Sequence, residues 1–173
     1  MKKIFLFGYG SFGKQLYKNL SNLNHKIKVI TSLEEYAHNA KDEDIDIKQI
    51  NIKKNDDILS LCVNPKKDML YCSMNKTANN LFLVLTLRTL YPQENIIAIS
   101  NSFENTRKLK YAGANSVIDL YEATSRRIVN ILTKPAVTRA LDEIVYHQND
   151  LKIAEIVLPK NSPIDGKYIR DID

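Results

Sequence analysis

Three glycines stand within six residues, Gly8-Tyr9-Gly10-Ser11-Phe12-Gly13. An apolar run, Ile4–Phe7, leads into them and a helical pattern, Lys14–Leu20, leads out. Strand before and helix after is the context in which a G-x-G-x-x-G turn binds the phosphates of a dinucleotide. The first glycine permits the tight turn and the second lets a pyrophosphate approach the backbone. The third lets the helix pack close on the strand. N–H groups at the helix start and the positive end of the helix dipole then favour an anion. The backbone from Tyr9 to Phe12 is the candidate cradle. The same segment has the Gly8-x4-Gly13-Lys14 spacing of a P-loop, but Gln15 stands where Ser or Thr must hold Mg²⁺. Lys14 therefore reads as an exposed first-turn residue.

Little else in the chain has the spacing of a reactive site. The two cysteines, Cys62 and Cys72, make no disulfide framework and read as small core-filling residues. His25, His38 and His147 are far apart and show no metal-ligand spacing. The net charge of +5 comes from scattered lysines without a basic stripe or interleaved aromatics, which argues against nucleic-acid binding. Lys2 and Lys3 run directly into the glycine turn, with no signal-peptide pattern. The longest apolar run, Leu81–Leu87, is broken by Thr86 and too short to span a bilayer. The expectation is a soluble, cytoplasmic chain.

The elements that must position the turn alternate. Strands are expected at Ile4–Phe7, Ile27–Ile30, Ile47–Ile52, Asp68–Ser73, Ile96–Ser100 and Ser116–Asp119. Between them come helical patterns at Lys14–Leu20, Asp56–Cys62, Lys76–Tyr91 and Phe103–Ala112, with Gly113 as the cap of the last. Residues 33–46 are polar and acidic and read as a short helix and a loop. Such alternation gives an α/β fold, a Rossmann-like doubly wound parallel sheet with helices on both faces. Helix Lys76–Tyr91 is apolar nearly all round, which predicts burial on two sides and hence a partner subunit.

The pattern changes after Asp119. Tyr121–Leu132 reads as a helix interrupted by Pro135, and a second helix, Ala136–His147, carries the stripe Val137, Ala140, Leu141, Ile144 and Val145. Six strands already complete the sheet, so this stripe is expected to dock on another subunit or a following domain, with packing back onto its own domain as the alternative. The tail holds a strand-like run, Leu151–Leu158, turns at Asn161-Ser162-Pro163 and Asp165-Gly166, and a helical start at Tyr168–Asp173. Some twenty residues make no core of their own. The tail either attaches to something else or belongs to a longer protein.

These residues together resemble the regulator-of-potassium-conductance domains, the RCK, KTN or TrkA N-terminal type. Beside the glycine turn, the resemblance rests on Asn80-Leu81 with Leu87-Arg88-Thr89-Leu90. It rests also on Ile96-Ile97-Ala98, Glu104-Asn105 and Leu109-x-x-Ala112-Gly113-Ala114-Asn115-x-Val117-Ile118. Leu158 and Ser162-Pro163-Ile164-Asp165-Gly166-Lys167 resemble the start of the family's C-terminal companion domain. The resemblance implies a nucleotide-binding domain over residues 1–132, a crossover helix over 133–149, and the beginning of a truncated companion domain over 150–173. It implies homodimers, and rings built from them, at the inner face of the cell membrane beside a potassium channel or transporter. NAD or an adenine nucleotide (ADP, ATP or AMP) would bind at the carboxyl ends of the strands and bias the pore. The implied cofactor-binding residues are Gly8, Tyr9, Gly10, Ser11, Phe12, Gly13, Thr31, Ser32, Ser73, Asn75 and Ser100; none is catalytic and none binds metal.

The chain departs from that pattern where a nucleotide's ribose would lie. An acid belongs at the end of strand two, about 20 residues past the glycines, and Thr31-Ser32 stand there. Asn51-Ile52 replace the family's Gly-Asp after strand three, and Ile99 stands where an arginine is frequent. Hydroxyls can hold a ribose, though without the strength of a charged acceptor. Alternative readings are a nicotinamide-dependent oxidoreductase and a Rossmann protein with another nucleotide-binding role. The first expects a substrate domain, for which this length is short, and a paired proton-transfer group, whereas Tyr17, Lys18 and Tyr121 form no catalytic pattern.

Overall fold

The computed structural model describes residues 3–22, 25–32, 45–64, 67–146 and 162. Those up to Arg126 belong to one compact unit and those from Arg127 to a second. The expected features of residues 33–44, and of the tail apart from Ser162, lie outside the described residues.

In the first unit, β1 (Lys3–Phe7), β2 (Lys26–Thr31), β3 (Ile47–Gln49), β4 (Met69–Cys72), β5 (Asn95–Ser100) and β6 (Ser116–Asp119) form one sheet. Its order is β3-β2-β1-β4-β5-β6 and every pairing is parallel. The helices are α1 (Ser11–Ser21), α2 (Asn55–Leu59), α3 (Thr77–Leu90), α4 (Phe103–Tyr111), α5 (Leu120–Thr133) and α6 (Pro135–Tyr146). The order reverses between β1 and β4, so the crevice at a topological switch point opens beyond their carboxyl ends.

Alternation along β1 divides the core. Phe5 and Phe7 join Ile30, Leu70, Cys72, Leu83, Leu87 and Ile96 in the larger cluster. Leu6 points the other way, to Val29 and Tyr9, with Leu16 and Tyr17 of α1 packed against them. Each such large side chain, fully buried, stabilises by roughly 1.5–3 kcal/mol. Cys72 sits inside the larger cluster, where burial pushes its thiol far above the ordinary range. Cys62 is exposed, and no disulfide joins the two.

Two elements end sooner than their apolar residues suggest. β3 stops at Gln49, although Ile50 and Ile52 are buried. The Asn51 N–H is taken by Asp57 Oδ2 at 2.8 Å instead of by a strand. α2 stops at Leu59, and the chain reaches a positive φ of 52° at Cys62 while burying Leu61 and Val63. Apolar side chains fill the core there without regular backbone.

Helix α3 does not have two buried sides within this chain. Leu83, Val84 and Leu87 are fully buried, whereas Phe82 and Leu85 are 43% and 49% exposed. Its C-terminal turn is held by Arg88. The Arg88 Nε and Nη2 groups donate to the Gly113 carbonyl at 2.9 and 2.7 Å, Nη2 to Asn115 Oδ1 at 2.6 Å, and Nη1 to the Pro92 carbonyl at 2.6 Å. Gly113, at φ +107°, is needed twice over. A Cβ there would be strained and would lie 2.6 Å from Arg88 Cγ. Asp119 caps α5, its Oδ1 accepting from the Tyr121 and Glu122 N–H groups at 3.0 and 3.1 Å.

Within the second unit, Arg127 pairs with Asp142. Thr138 Oγ1 donates to the Asn130 carbonyl at 3.2 Å. Val137 and Leu141 are exposed, and Ile144 and Val145 lie outside the residues whose side chains are described.

A planar fork is what lets Arg88 serve two loops at once, and Lys has none. Arg88→Lys is expected to lower stability by about 1.5–3 kcal/mol, the scale of one charged hydrogen bond. Urea unfolding measures it, and an unchanged midpoint would show that the fork is dispensable.

Candidate functional site

The site grows out of the end of β1. The Gly8 N–H donates to the Ile30 carbonyl at 2.8 Å, and the Phe7 carbonyl accepts from the Ser73 N–H at 2.7 Å. Gly8 then turns with φ +99°. A Cβ on it would lie 2.5 Å from the Ser73 carbonyl oxygen, so the backbone just past β4 imposes a glycine. Gly10 is the N-cap of α1 and brings no side-chain cap. The N–H groups of Ser11, Phe12 and Gly13 open the helix and have no acceptor within it. Such a row of donors at a helix start is the chemistry that favours an anion. A Cβ at Gly13 would lie 2.3 Å from the Gly8 carbonyl oxygen, which is how closely helix and turn pack.

Tyr9 faces the core, not the crevice. Its ring meets Tyr17 edge-on at 6.0 Å, and Lys14 Nζ lies 5.4 Å from its centroid. Only the backbone of Tyr9 is left to act in a cradle. Lys14 is thus engaged with a ring in the first turn of α1.

Thr31 and Ser32 lie at the carboxyl end of β2 and both are buried. Thr31 is 1% exposed, and its Oγ1 has no hydrogen-bond partner among the described residues. An unsatisfied buried hydroxyl is costly, about 1–3 kcal/mol. Such a group at the end of a strand, beside the glycine turn, is a natural place for a hydrogen-bonding ligand group.

Beyond β4 and β5 lies a cavity of about 170 Å³, lined by Phe12, Ser73, Met74, Asn75, Thr77, Asn80, Ile99, Ser100, Asn101 and Leu120. It therefore gathers Phe12, Ser73, Asn75 and Ser100 from the residues expected at the site. Thr31 and Ser32 are not among its walls. It is smaller than the roughly 300–1,000 Å³ of a pocket that encloses a whole ligand, so it can receive only part of a nucleotide. Two of its hydroxyls already donate to backbone. Ser73 Oγ lies 3.0 and 3.1 Å from the Phe7 and Gly8 carbonyls, and Ser100 Oγ lies 2.8 Å from the Ser102 carbonyl. Both can only accept from a ligand. No side chain in the wall ionises near neutral pH, so the cavity has neither a general acid nor a general base.

Asn80 holds the walls together. Its Nδ2 donates to the Cys72 carbonyl at 3.1 Å and the Ile99 carbonyl at 3.0 Å, and its Oδ1 accepts from the Met74 N–H at 3.2 Å. It thus ties the ends of β4 and β5 to the start of α3. The sequence marks Asn80 only through the Asn80-Leu81 pair of the resemblance; its three partners become visible in the fold.

A parallel sheet with this order, a glycine turn at the end of β1 and a crevice at the switch point define a Rossmann-type nucleotide-binding fold. The chain belongs to the TrkA-N domain family, whose model matches residues 4–120. It is 26% identical over 165 residues to potassium channel protein 1 of Methanocaldococcus jannaschii, covering 95% of this chain and 49% of that protein. It is 27% identical over 174 residues to probable potassium channel protein 2 of the same organism, covering 95% of this chain and 50% of that one. The chain thus spans about half the length of the curated relatives it matches. Among solved structures, the GsuK channel bound to NAD superposes with a TM-score of 0.64 at 20% identity, over 82% of this chain and 25% of that one. GsuK bound to ADP gives 0.64 at 20% identity, over 78% of this chain and 34% of that one. At such identities the likeness establishes a common fold.

Asn80→Asp turns two donor positions into acceptors facing the Cys72 and Ile99 carbonyls. A loss of about 3 kcal/mol in stability is expected, the upper scale for an unsatisfied buried polar group. Thermal or urea unfolding measures it, and wild-type stability in the variant would remove Asn80 from its bracing role.

Proposed function

We propose that this chain is the ligand-sensing regulatory domain of a potassium channel or potassium-uptake transporter, and that its ligand is NAD or an adenine nucleotide. The observation that carries the reading is the glycine turn in a TrkA-N chain that matches two potassium channel proteins over 95% of its length. The residues present fit a nucleotide. Gly10 brings no side chain to the turn, and the buried Thr31 hydroxyl has no partner among the described residues. The backbone of Tyr9 to Gly13 would hold phosphate, Thr31 and Ser32 a ribose, and Ser73, Asn75 and Ser100 the group that enters the cavity. The nucleotide supplies binding energy and charge, not a reaction. The neutral wall of the cavity supports sensing over hydride transfer.

Residues 1–132 would form the sensing domain, residues 133–149 the crossover helix, and 150–173 the start of a companion domain. The whole would lie on the cytoplasmic side, next to the pore partner. Dimerisation would couple the ligand to the pore. The exposed Phe82 and Leu85 of α3, and Val137 and Leu141 of α6, supply the apolar surface for it. A ligand shifts the dimer geometry only as far as its affinity differs between the states.

Calorimetry tests the ligand. The protein is expected to bind ADP and NAD within about tenfold of one another, because Thr31 makes no charge-assisted ribose contact of the kind worth about 1.5–3 kcal/mol. Gly10→Asp, which puts a side chain and a negative charge in the cradle, should abolish both. Equal affinity in that variant would sink the phosphate assignment. A strong preference for NAD would show that another residue holds the ribose.

Sedimentation tests the assembly. A homodimer is expected at tens of micromolar, and Val137→Glu with Leu141→Glu should weaken it while leaving nucleotide binding intact. A monomeric wild type would refute it.

A further inference from the structure

The three glycines of the turn are needed for different reasons. A Cβ at Gly8 would strike the Ser73 carbonyl oxygen and one at Gly13 the Gly8 carbonyl oxygen, at 2.5 and 2.3 Å. Both obstacles are main chain, so those two positions are closed by the protein's own backbone whatever binds. At Gly10 the nearest obstacle is the end of a side chain. A Cβ there would lie 2.0 Å from Asn75 Oδ1, 2.7 Å from its Cγ and 2.8 Å from its Nδ2. The bare side of the second glycine is the side from which a pyrophosphate approaches the turn. The Asn75 amide therefore lies in the path of the phosphates.

The backbone around Asn75 is pinned. The Ser73 N–H donates to the Phe7 carbonyl, the Met74 N–H to Asn80 Oδ1, and the Asn80 N–H to the Lys76 carbonyl at 3.1 Å. Asn75 itself is exposed and borders the cavity. With the backbone held, uncovering Gly10 falls to rotation of the Asn75 side chain.

We infer that Asn75 gates the phosphate turn: its amide covers Gly10, and a nucleotide must rotate it aside to seat its phosphates. The inference rests on the nucleotide-binding reading above, and it changes what Asn75 does there. A residue that merely held the ligand would add to affinity, whereas a cover subtracts from it. The apparent dissociation constant is the intrinsic one divided by the uncovered fraction.

The experiment compares the wild-type chain with Asn75→Ala, titrating each with ADP and with NAD in the calorimeter. With the cover populated about ten to one, Asn75→Ala is expected to bind ADP about tenfold more tightly. Equal or weaker binding by Asn75→Ala, where the wild type binds, overturns the gate and leaves the nucleotide reading standing. Binding of neither nucleotide to either protein overturns the nucleotide reading, and the gate falls with it. The contact itself is checked without ligand by melting Gly10→Ala in both backgrounds. The added methyl should lower the melting temperature of the wild type by more than it lowers that of Asn75→Ala, where it has room. Equal losses in the two backgrounds would overturn the contact.

Discussion

The carboxyl end of β1 is the constraint on which the rest depends. It is clamped on both sides, through Gly8 to the Ile30 carbonyl and through the Phe7 carbonyl to Ser73. A buried central strand cannot leave these groups unpaired without a cost of about 1–3 kcal/mol for each. The chain must nevertheless leave the sheet at once to start α1. Only a residue free to take φ +99° with no Cβ against Ser73 meets both demands. Once that turn is set, α1 begins directly after it, with the N–H groups of Ser11, Phe12 and Gly13 unpaired within the helix. That row of donors is thus a by-product of satisfying the strand.

The same economy governs the opposite end of the sheet. Arg88 reaches from α3 to the Gly113 and Pro92 carbonyls and to Asn115. Asn115 Oδ1 in turn accepts from the Ile96 N–H at 2.8 Å. Helix α3 is therefore tied at its start by Asn80 and at its finish by Arg88. Between the two ties it buries Leu83, Val84 and Leu87 against the sheet.

The sequence revealed most of this architecture, for a physical reason. Central parallel strands are buried on both faces and read as unbroken apolar runs, as β1, β4 and β5 do. The glycine turn is local, so its spacing suffices. Legibility fails where side-chain burial and backbone order part company. Ile50, Ile52, Leu61 and Val63 are core residues outside any strand or helix, so apolarity overstated β3 and α2. In α3 the all-round apolar pattern does not distinguish Leu83 from Phe82, yet one is buried and the other 43% exposed. The links from Asn80 to Ile99, from Arg88 to Gly113 and from Asn75 to Gly10 were illegible, because each joins segments that only the fold brings near.

The neutral wall of the cavity has a consequence for how it meets a change of pH. Its lining amides and hydroxyls hold the same charge throughout the range in which cell interiors acidify or recover. Mild acidification therefore leaves the charge of the cavity wall unchanged. Any acid response of the folded domain would have to be written outside these walls.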